Sequence, residues 1–298
     1  MTRPFRFGVI AGGARSRAEW VAKARKAEEL GYATLLVPDH IAVGIAPLTA
    51  LAVAAEATTS LRVGSFVCDN DFRHPALLAK EAATLDLLSD GRFELGMGAG
   101  YLPDDYTQLG IPFESAGIRV GRLQEALQIV RRLFSEETLS FSGKHYHIAE
   151  MQGVPKPVQK PHLPIFLGGR GKRVLSLAAR FADSIGFGFA AWDSEATEGT
   201  PEDIAQRISW VREAAGERFE QLELGYTIYQ LLDMDEKPRG VSSQSTSVSP
   251  SFHALSGNSD KMIEEIQARR ERYGFSYVQV SERHMEAFAP VVARLAGR

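Results

Sequence analysis

The sequence has a single cysteine, Cys68, in 298 residues. That excludes an intrachain disulfide, a redox thiol pair and any multi-cysteine metal cluster, and it makes a reducing cytoplasm the expected compartment. Charge of one sign is missing as well: 34 Lys and Arg are interspersed with 37 Asp and Glu, for a formal net charge of −3. Without a basic stripe there is no electrostatic footprint for nucleic acid, which is not an expected partner. Long apolar runs are also absent. The most apolar stretch, LTALAVAAEA, carries Glu56, and the chain passes from a strand-like FRFGVI directly into the charged RAEWVAKARKAEEL. Neither a membrane span nor an export signal fits that pattern, so a soluble protein with no membrane partner is expected.

What is present is alternation. Short runs rich in Val, Ile, Leu and Phe take turns with helical patterns: RFGVI, ATLLV (33–37), LRVGSFV (61–67), RFELGMG (92–98), PIFLGG, DSIGFGF (183–189), LELGYTIYQL (222–231) and FSYVQV (275–280). Most are continuous apolar runs, as parallel strands buried on both faces are. Ser16 is placed to cap the first helix and Gly31 to stop it. Between 119 and 134, Val120, Leu123, Leu127, Val130 and Phe134 share one helical face. Eight βα units in this length predict one α/β domain over residues 1–298, a (β/α)8 TIM barrel, with an open doubly wound sheet as the alternative. Surplus length falls in SEETLSFSGKHYHIAEMQGVPKPVQKPHLP before the fifth strand and DMDEKPRGVSSQSTSVSPS after the seventh. The second is rich in Ser and Pro, which predicts a mobile lid or a disordered loop over 235–250.

In a barrel the residues just past the strand ends face the active site. Here they are Pro38-Asp39-His40, Cys68-Asp69-Asn70, Gly98-Ala99-Gly100-Tyr101 and a glycine loop at 168–171. None is a lysine, so a Schiff-base aldolase loses support. His40 is the strongest candidate for proton work, because imidazole gives or takes a proton near neutrality and this one follows a buried strand beside an acid. His145 and His147, with Glu150 nearby, have the spacing of metal ligands on one strand face. They lie in an insertion far from the strand-end acids, so the preferred reading is a hairpin with exposed imidazoles and no metal. His162 and His253 carry little information, and His74 before Pro75 reads as a helix cap or a packing residue.

The segment PIFLGGRGKRVLSLAARFADSIGF fails as a dinucleotide fingerprint, since Val174 stands at the third glycine position and the next acid, Asp183, comes too early. A strand, flexible glycines and a helix start flanked by Lys172 and Arg173 still make an anion site. The plain alternative is a tight βα turn with solvated cations.

With ATLLVPDHI, LRVGSFVCDNDFRHPALLAKEAATLDLLSDGRFELGMGAGY and PIFLGGRGKRVLSLAARFADSIGFG located, the chain resembles the luciferase-like monooxygenase superfamily. Among its members it is most similar to the coenzyme F420-dependent oxidoreductases, and the tail ARRERYGFSYVQVSERHMEAFAPVVARLAG resembles an actinobacterial subgroup. The resemblance implies a barrel that holds a deazaflavin or flavin over its strand ends, with hydride passing between ring and substrate. It implies His40 near the reactive ring carbon, Asp39 close to the cofactor, and a bulge at Phe66-Val67, often with a cis peptide, behind the ring. Gly168, Gly169 and Gly171, followed by Lys172 and Arg173, would receive the phosphate. Asp69 is either a polar contact to the ring or a local turn former. Tyr101 stands where some deazaflavin sugar-phosphate dehydrogenases carry a catalytic glutamate, which puts that reaction in doubt. The rival readings are an FMN-dependent monooxygenase of the same fold and a non-catalytic flavin carrier. The expected partners are a small-molecule substrate and a second copy of the chain in a homodimer.

Overall fold

The computed structural model describes residues 3–188, 199–232 and 252–298, so the loop expected over 235–250 lies outside the described residues. The first half of the chain forms β1 (Arg6–Ile10), α1 (Arg17–Glu29), β2 (Thr34–Val37), α2 (Pro47–Ala57), β3 (Arg62–Ser65), β4 (Cys68–Asp69), α3 (Pro75–Leu88) and β5 (Phe93–Gly98). Next come α4 (Pro103–Leu109), α5 (Ala116–Ser135), β6 (Thr138–Ser142), β7 (His147–Gln152), β8 (Ile165–Gly169), α6 (Lys172–Phe181) and β9 (Ser184–Phe187). The rest is α7 (Pro201–Ala215), β10 (Glu223–Ile228), β11 (Gln230–Leu232), β12 (Ala254–Ser256), α8 (Ser259–Tyr273), β13 (Phe275–Ser281) and α9 (Met285–Leu295).

Parallel pairing runs β3-β2-β1-β13-β10-β9-β8-β5 and closes where β5 pairs with β3 and β4. With β3 and β4 counted as one interrupted stave, this is an eight-stave parallel barrel wrapped in helices, as the alternation predicts. The open doubly wound alternative is excluded by the closure. Capping follows the sequence reading: Ser16 Oγ accepts the Glu19 N–H at 3.2 Å, and Gly31 leaves α1 with φ +80°. The apolar face of α5 is buried from Val120 to Phe134.

Two strands differ from expectation. The run taken as 222–231 stops at Ile228, because Tyr229 gives its N–H to the His253 carbonyl and Gln230–Leu232 pairs with Ala254–Ser256 instead. The third stave breaks after Ser65. Val63 and Gly64 pair with Phe93 and Glu94, whereas Cys68 and Asp69 pair with Met97 and Gly98, so the register slips by one residue across Phe66 and Val67. The Phe66-Val67 peptide is cis, as the resemblance implied.

Glycines on one face of β5 and its extension make room for that slip. A Cβ on Gly96 would lie 1.9 Å from the Ser65 carbonyl oxygen, one on Gly98 2.6 Å from Val67 Cγ2, and one on Gly100 2.3 Å from Asp69 Oδ2.

The barrel interior is layered. At the N-terminal strand ends Glu94 receives Arg6 and Arg62, each at 2.5 Å, and Glu223 receives Arg6 at 2.6 Å, with the Arg6 guanidinium 3.8 Å over the Tyr277 ring. Burial works to raise the Glu94 carboxyl, but the two guanidinium groups prevail and hold it below the usual carboxylate range. Next comes an apolar layer of Leu36, Phe166 and Tyr277, against which Ile10, Phe66 and Val67 pack half-buried. Phe66 and Val67 therefore present an apolar floor toward the C-terminal end.

Gly96→Ala should destabilise the fold by about 2 kcal/mol or more, because the added carbon meets backbone rather than a movable side chain. Urea unfolding measures the loss, and a wild-type midpoint would refute the packing argument.

Candidate active site

The site sits at the C-terminal strand ends, where β2 delivers Asp39 and His40, β4 delivers Asp69, and β5 runs on to Gly100 and Tyr101. The acids there differ in what they engage. Buried Asp39 accepts both Nη groups of Arg73, one of them at 3.0 Å, and the Asp69 N–H at 3.1 Å. It thereby ties the end of β2 to the end of the broken stave. Asp71 takes Arg122 at 2.8 Å and the Tyr106 hydroxyl at 3.1 Å.

Asp105, in the first turn of α4, accepts His40 Nδ1–H at 2.8 Å on one oxygen and the Ile41 N–H at 3.0 Å on the other. Because a carboxylate only accepts, this pair fixes the imidazole with its proton on Nδ1 and Nε2 facing outward. The Tyr101 hydroxyl lies 3.3 Å from Nε2, and the two rings meet edge to face at 5.7 Å. The resulting row runs from a carboxylate through an imidazole to a phenol.

Asp69 differs from its neighbours. It accepts the Asp71 N–H at 2.9 Å and so caps the short 3-10 turn Asn70–Phe72, which is the turn-forming role foreseen for it. It also shares the single Tyr106 hydroxyl hydrogen with Asp71, each carboxylate oxygen lying 3.1 Å from the phenol. Among the described residues no cation pairs with it. Burial and the nearby Asp71 and Asp39 push its carboxyl up to about 6, against the lowering effect of its two hydrogen bonds. Cys68 beside it is completely buried, which pushes its thiol up to about 12 and keeps it protonated.

The glycine loop closes β8 and opens α6. Gly171 is the N-cap and offers no side chain, so the first N–H groups of α6 have no partner within the helix. A Cβ on Gly171 would meet nothing within 4 Å, and that open volume is where an anion can approach the amides. On the inner side a Cβ on Gly169 would lie 2.4 Å from Val174 Cγ1, so strand and helix are packed as closely as they can be. Arg207 of α7 holds the loop by donating to the carbonyls of Arg170 at 3.2 Å and Gly188 at 2.7 Å. The flanking cations do not converge on it. Lys172 pairs with Glu213 at 3.6 Å, and Arg173 reaches toward Gly117 into a cleft of about 420 Å³ shared with Ser115, Glu125 and Lys144. That cleft contains none of the residues around His40.

His74 caps α3 by accepting the Ala76 N–H at 3.3 Å. His145 and His147 belong to the antiparallel β6–β7 hairpin, and among the described residues no three His, Cys, Asp or Glu side chains are grouped to hold a metal. His162 faces Asp183 at 3.0 Å, and buried His253 gives Nδ1–H to the Thr227 carbonyl at 2.6 Å. Among the described residues no helix is long and apolar enough to cross a membrane.

Sequence reasoning missed Asp105, Arg73 and Arg207. Each acts through a long-range contact, and the only local signal was an acid in the first turn after Pro103.

A closed parallel barrel with its candidate site at the C-terminal strand ends is the architecture of the luciferase-like barrel oxidoreductases. The chain is a member of the luciferase-like monooxygenase family, whose model matches residues 2–237. An uncharacterized protein of Mycobacterium tuberculosis is 30% identical over 223 residues, 66% of this chain and 72% of that one. An F420-dependent glucose-6-phosphate dehydrogenase of Amycolatopsis mediterranei is 28% identical over 225 residues, 73% of this chain and 66% of that one. Among solved structures, the coenzyme F420-dependent tetrahydromethanopterin reductase of Methanopyrus kandleri superposes with a TM-score of 0.80 at 17% identity, over 98% of this chain and 99% of that one.

The raised Asp69 carboxyl binds a proton in the folded state between about pH 4 and pH 6, where the unfolded chain has lost it. Its contribution to stability therefore falls as pH rises through that window. Asp69→Asn removes this effect, so the variant should gain stability relative to wild type on going from pH 4 to pH 8, by on the order of 1–3 kcal/mol. Denaturant midpoints at the two pH values check it, and a difference independent of pH would refute it.

Proposed function

We propose that the protein is a coenzyme F420-dependent oxidoreductase that passes hydride between the deazaflavin and a small organic substrate. The observation that carries this reading is His40, anchored by Asp105 at the strand ends of the barrel whose interior carries the apolar layer of Phe66 and Val67, on the same barrel end as the open N-terminus of α6. The F420-dependent relative, matched over 73% of this chain, supports the choice of cofactor.

The residues fit such a group. Phe66 and Val67 offer a half-buried apolar surface to a tricyclic ring, and the volume that a Cβ on Gly171 would fill admits a phosphate to the α6 amides. When bound, the deazaflavin supplies two-electron hydride chemistry. The chain itself binds, orients and manages the proton. Asp105 keeps the Nδ1 proton in place, which leaves Nε2 of His40 to give or take the one that accompanies hydride transfer. Asp39 acts indirectly: engaged with Arg73 and the Asp69 amide, it holds the strand end that carries His40.

Fluorescence titration with F420 and with FMN, followed by turnover with and without oxygen, tests the assignment. F420 should bind, and turnover should proceed without oxygen. Oxygen-dependent turnover with reduced FMN would establish the monooxygenase reading instead, and tight binding with no turnover on any reducible compound would establish a carrier.

Gly171→Val should weaken F420 at least about tenfold while leaving the fold intact, because its side chain enters open space at the phosphate position. An unchanged titration would remove the cradle. His40→Ala should slow the chemical step by about 10² to 10⁴ fold and change cofactor affinity far less. Weak binding with normal single-turnover rates would leave His40 as a packing contact.

A further inference from the structure

Three basic side chains meet where the β6–β7 hairpin approaches the starts of α5 and α6. Arg173 comes from the first turn of α6, Lys144 and His145 come from the hairpin turn, and all three line the cleft of about 420 Å³. Among the described residues none of the three forms an ion pair, whereas Lys172, the neighbour of Arg173 in the chain, is held by Glu213 at 3.6 Å.

One wall of the cleft is bare helix. Gly117 and Gly121 stand four residues apart on α5, hence on one face and about 6 Å apart along the axis. A Cβ on Gly117 would lie 3.2 Å from Arg173 Nη1, and one on Gly121 3.3 Å from His145 Nε2. The guanidinium and the imidazole are therefore seated on backbone about one helical turn from each other, a separation that a single tetrahedral oxyanion spans by accepting on different oxygens.

The acid of the cleft is engaged elsewhere. Glu125 accepts the Lys144 N–H at 2.9 Å on one oxygen and the N–H groups of His145 and Tyr146, at 2.9 and 3.2 Å, on the other. It latches the hairpin turn to α5 and so fixes where Lys144 and His145 stand. The Ser115 hydroxyl, which makes no capping bond, and the Gln124 amide add neutral hydrogen-bonding groups, and Ile118 alone among the lining residues is a large apolar one.

We propose that this cleft binds a small hydroxylated organic phosphate, with its phosphate among Arg173, Lys144 and His145 and its hydroxyls toward Ser115 and Gln124. Two permanent positive charges favour a dianion over a monocarboxylate, and the volume lies in the range of small-molecule sites rather than that of a lone phosphate. The site is separate from the region of His40 and from the α6 amides at Gly171, since neither lines the cleft, and it does not depend on the F420 reading.

Calorimetric titration of the cofactor-free protein tests this with ribose 5-phosphate, inorganic phosphate, ribose and acetate. Ribose 5-phosphate should bind saturably, inorganic phosphate at least about tenfold more weakly, and ribose and acetate not measurably. Inorganic phosphate bound as tightly as the sugar phosphate overturns the organic class, and no binding of either overturns the site. Arg173→Ala and Lys144→Ala should each weaken ribose 5-phosphate by about tenfold or more. Gly121→Leu, which fills the cleft without changing a charge, should abolish binding, with a urea midpoint to confirm its fold. Lys172→Ala makes the same change in charge one residue away and should leave the affinity as it is. Equal weakening by Lys172→Ala and Arg173→Ala would show diffuse attraction and overturn the site. Repeated with F420 present, the titration should give the same affinity. Displacement by F420 would assign the phosphate to the amides at Gly171 and overturn a separate site. Failure of F420 to bind sinks only the cofactor reading, and the cofactor-free titrations still decide the cleft.

Discussion

The third stave is one residue longer than its partner allows, and the mouth of the barrel is built on that mismatch. Because Ser65, Val67 and Asp69 alternate along the stave, the groups facing them on β5 and its extension are Gly96, Gly98 and Gly100. Each would collide through a Cβ, and the Ser65 hydroxyl closes the join by bonding to both the amide and the carbonyl of Gly96 at 2.9 Å. The slip turns Phe66 and Val67 toward the lumen as a floor, and it sets the Asp69 amide where the Asp39 carboxylate accepts it. Asp39 then takes Arg73, which follows β4, so the end of β2 is held and His40 with it.

The two ends of the barrel handle buried charge differently. At the N-terminal end the acids Glu94 and Glu223 are answered by Arg6 and Arg62 on neighbouring strands, which plugs the barrel with compensated charge. At the mouth two of four buried or half-buried acids have such an answer, Asp39 in Arg73 and Asp71 in Arg122, while Asp105 is hydrogen-bonded by His40 and the Ile41 amide. Asp69 has only hydrogen bonds from Tyr106 and the Asp71 amide. Two such bonds do not offset burial between two other carboxylates, so its proton is retained toward neutrality.

The barrel was legible because its signal is repetitive: eight apolar runs alternating with capped helices leave few ways to bury both faces of each strand. His40 and the glycine loop were legible because they sit at strand ends, a position that sequence order defines. Asp105 was not. It lies 65 residues from His40, in a short helix whose first turn contains two acids, and nothing local distinguishes Asp104, outside, from Asp105, inside. Arg73, 34 residues from Asp39 and embedded in the strongly patterned RHPALLAK segment, was hidden in the same way. The end of β10 was misplaced because apolar residues continue through Leu232, whereas the backbone partner that redirects them, His253, is far along the chain.

The cations after the glycine loop show how charge in a sequence differs from charge at a site. Lys172 and Arg173 begin α6, and their adjacency to Gly171 invited the reading that their side chains hold an anion. On a helix, successive residues point about 100° apart, and these two leave in different directions, toward Glu213 on α7 and toward Gly117 on α5. What they contribute at Gly171 is backbone, the amides of a first turn that no side chain caps. Those amides are fixed by strand and helix, and Arg207 fixes the carbonyls behind them. The geometry of the proposed anion site is therefore set by packing of β8 against α6, where the contact of Gly169 with Val174 leaves no space for a side chain, while a Cβ at Gly171 would meet open space.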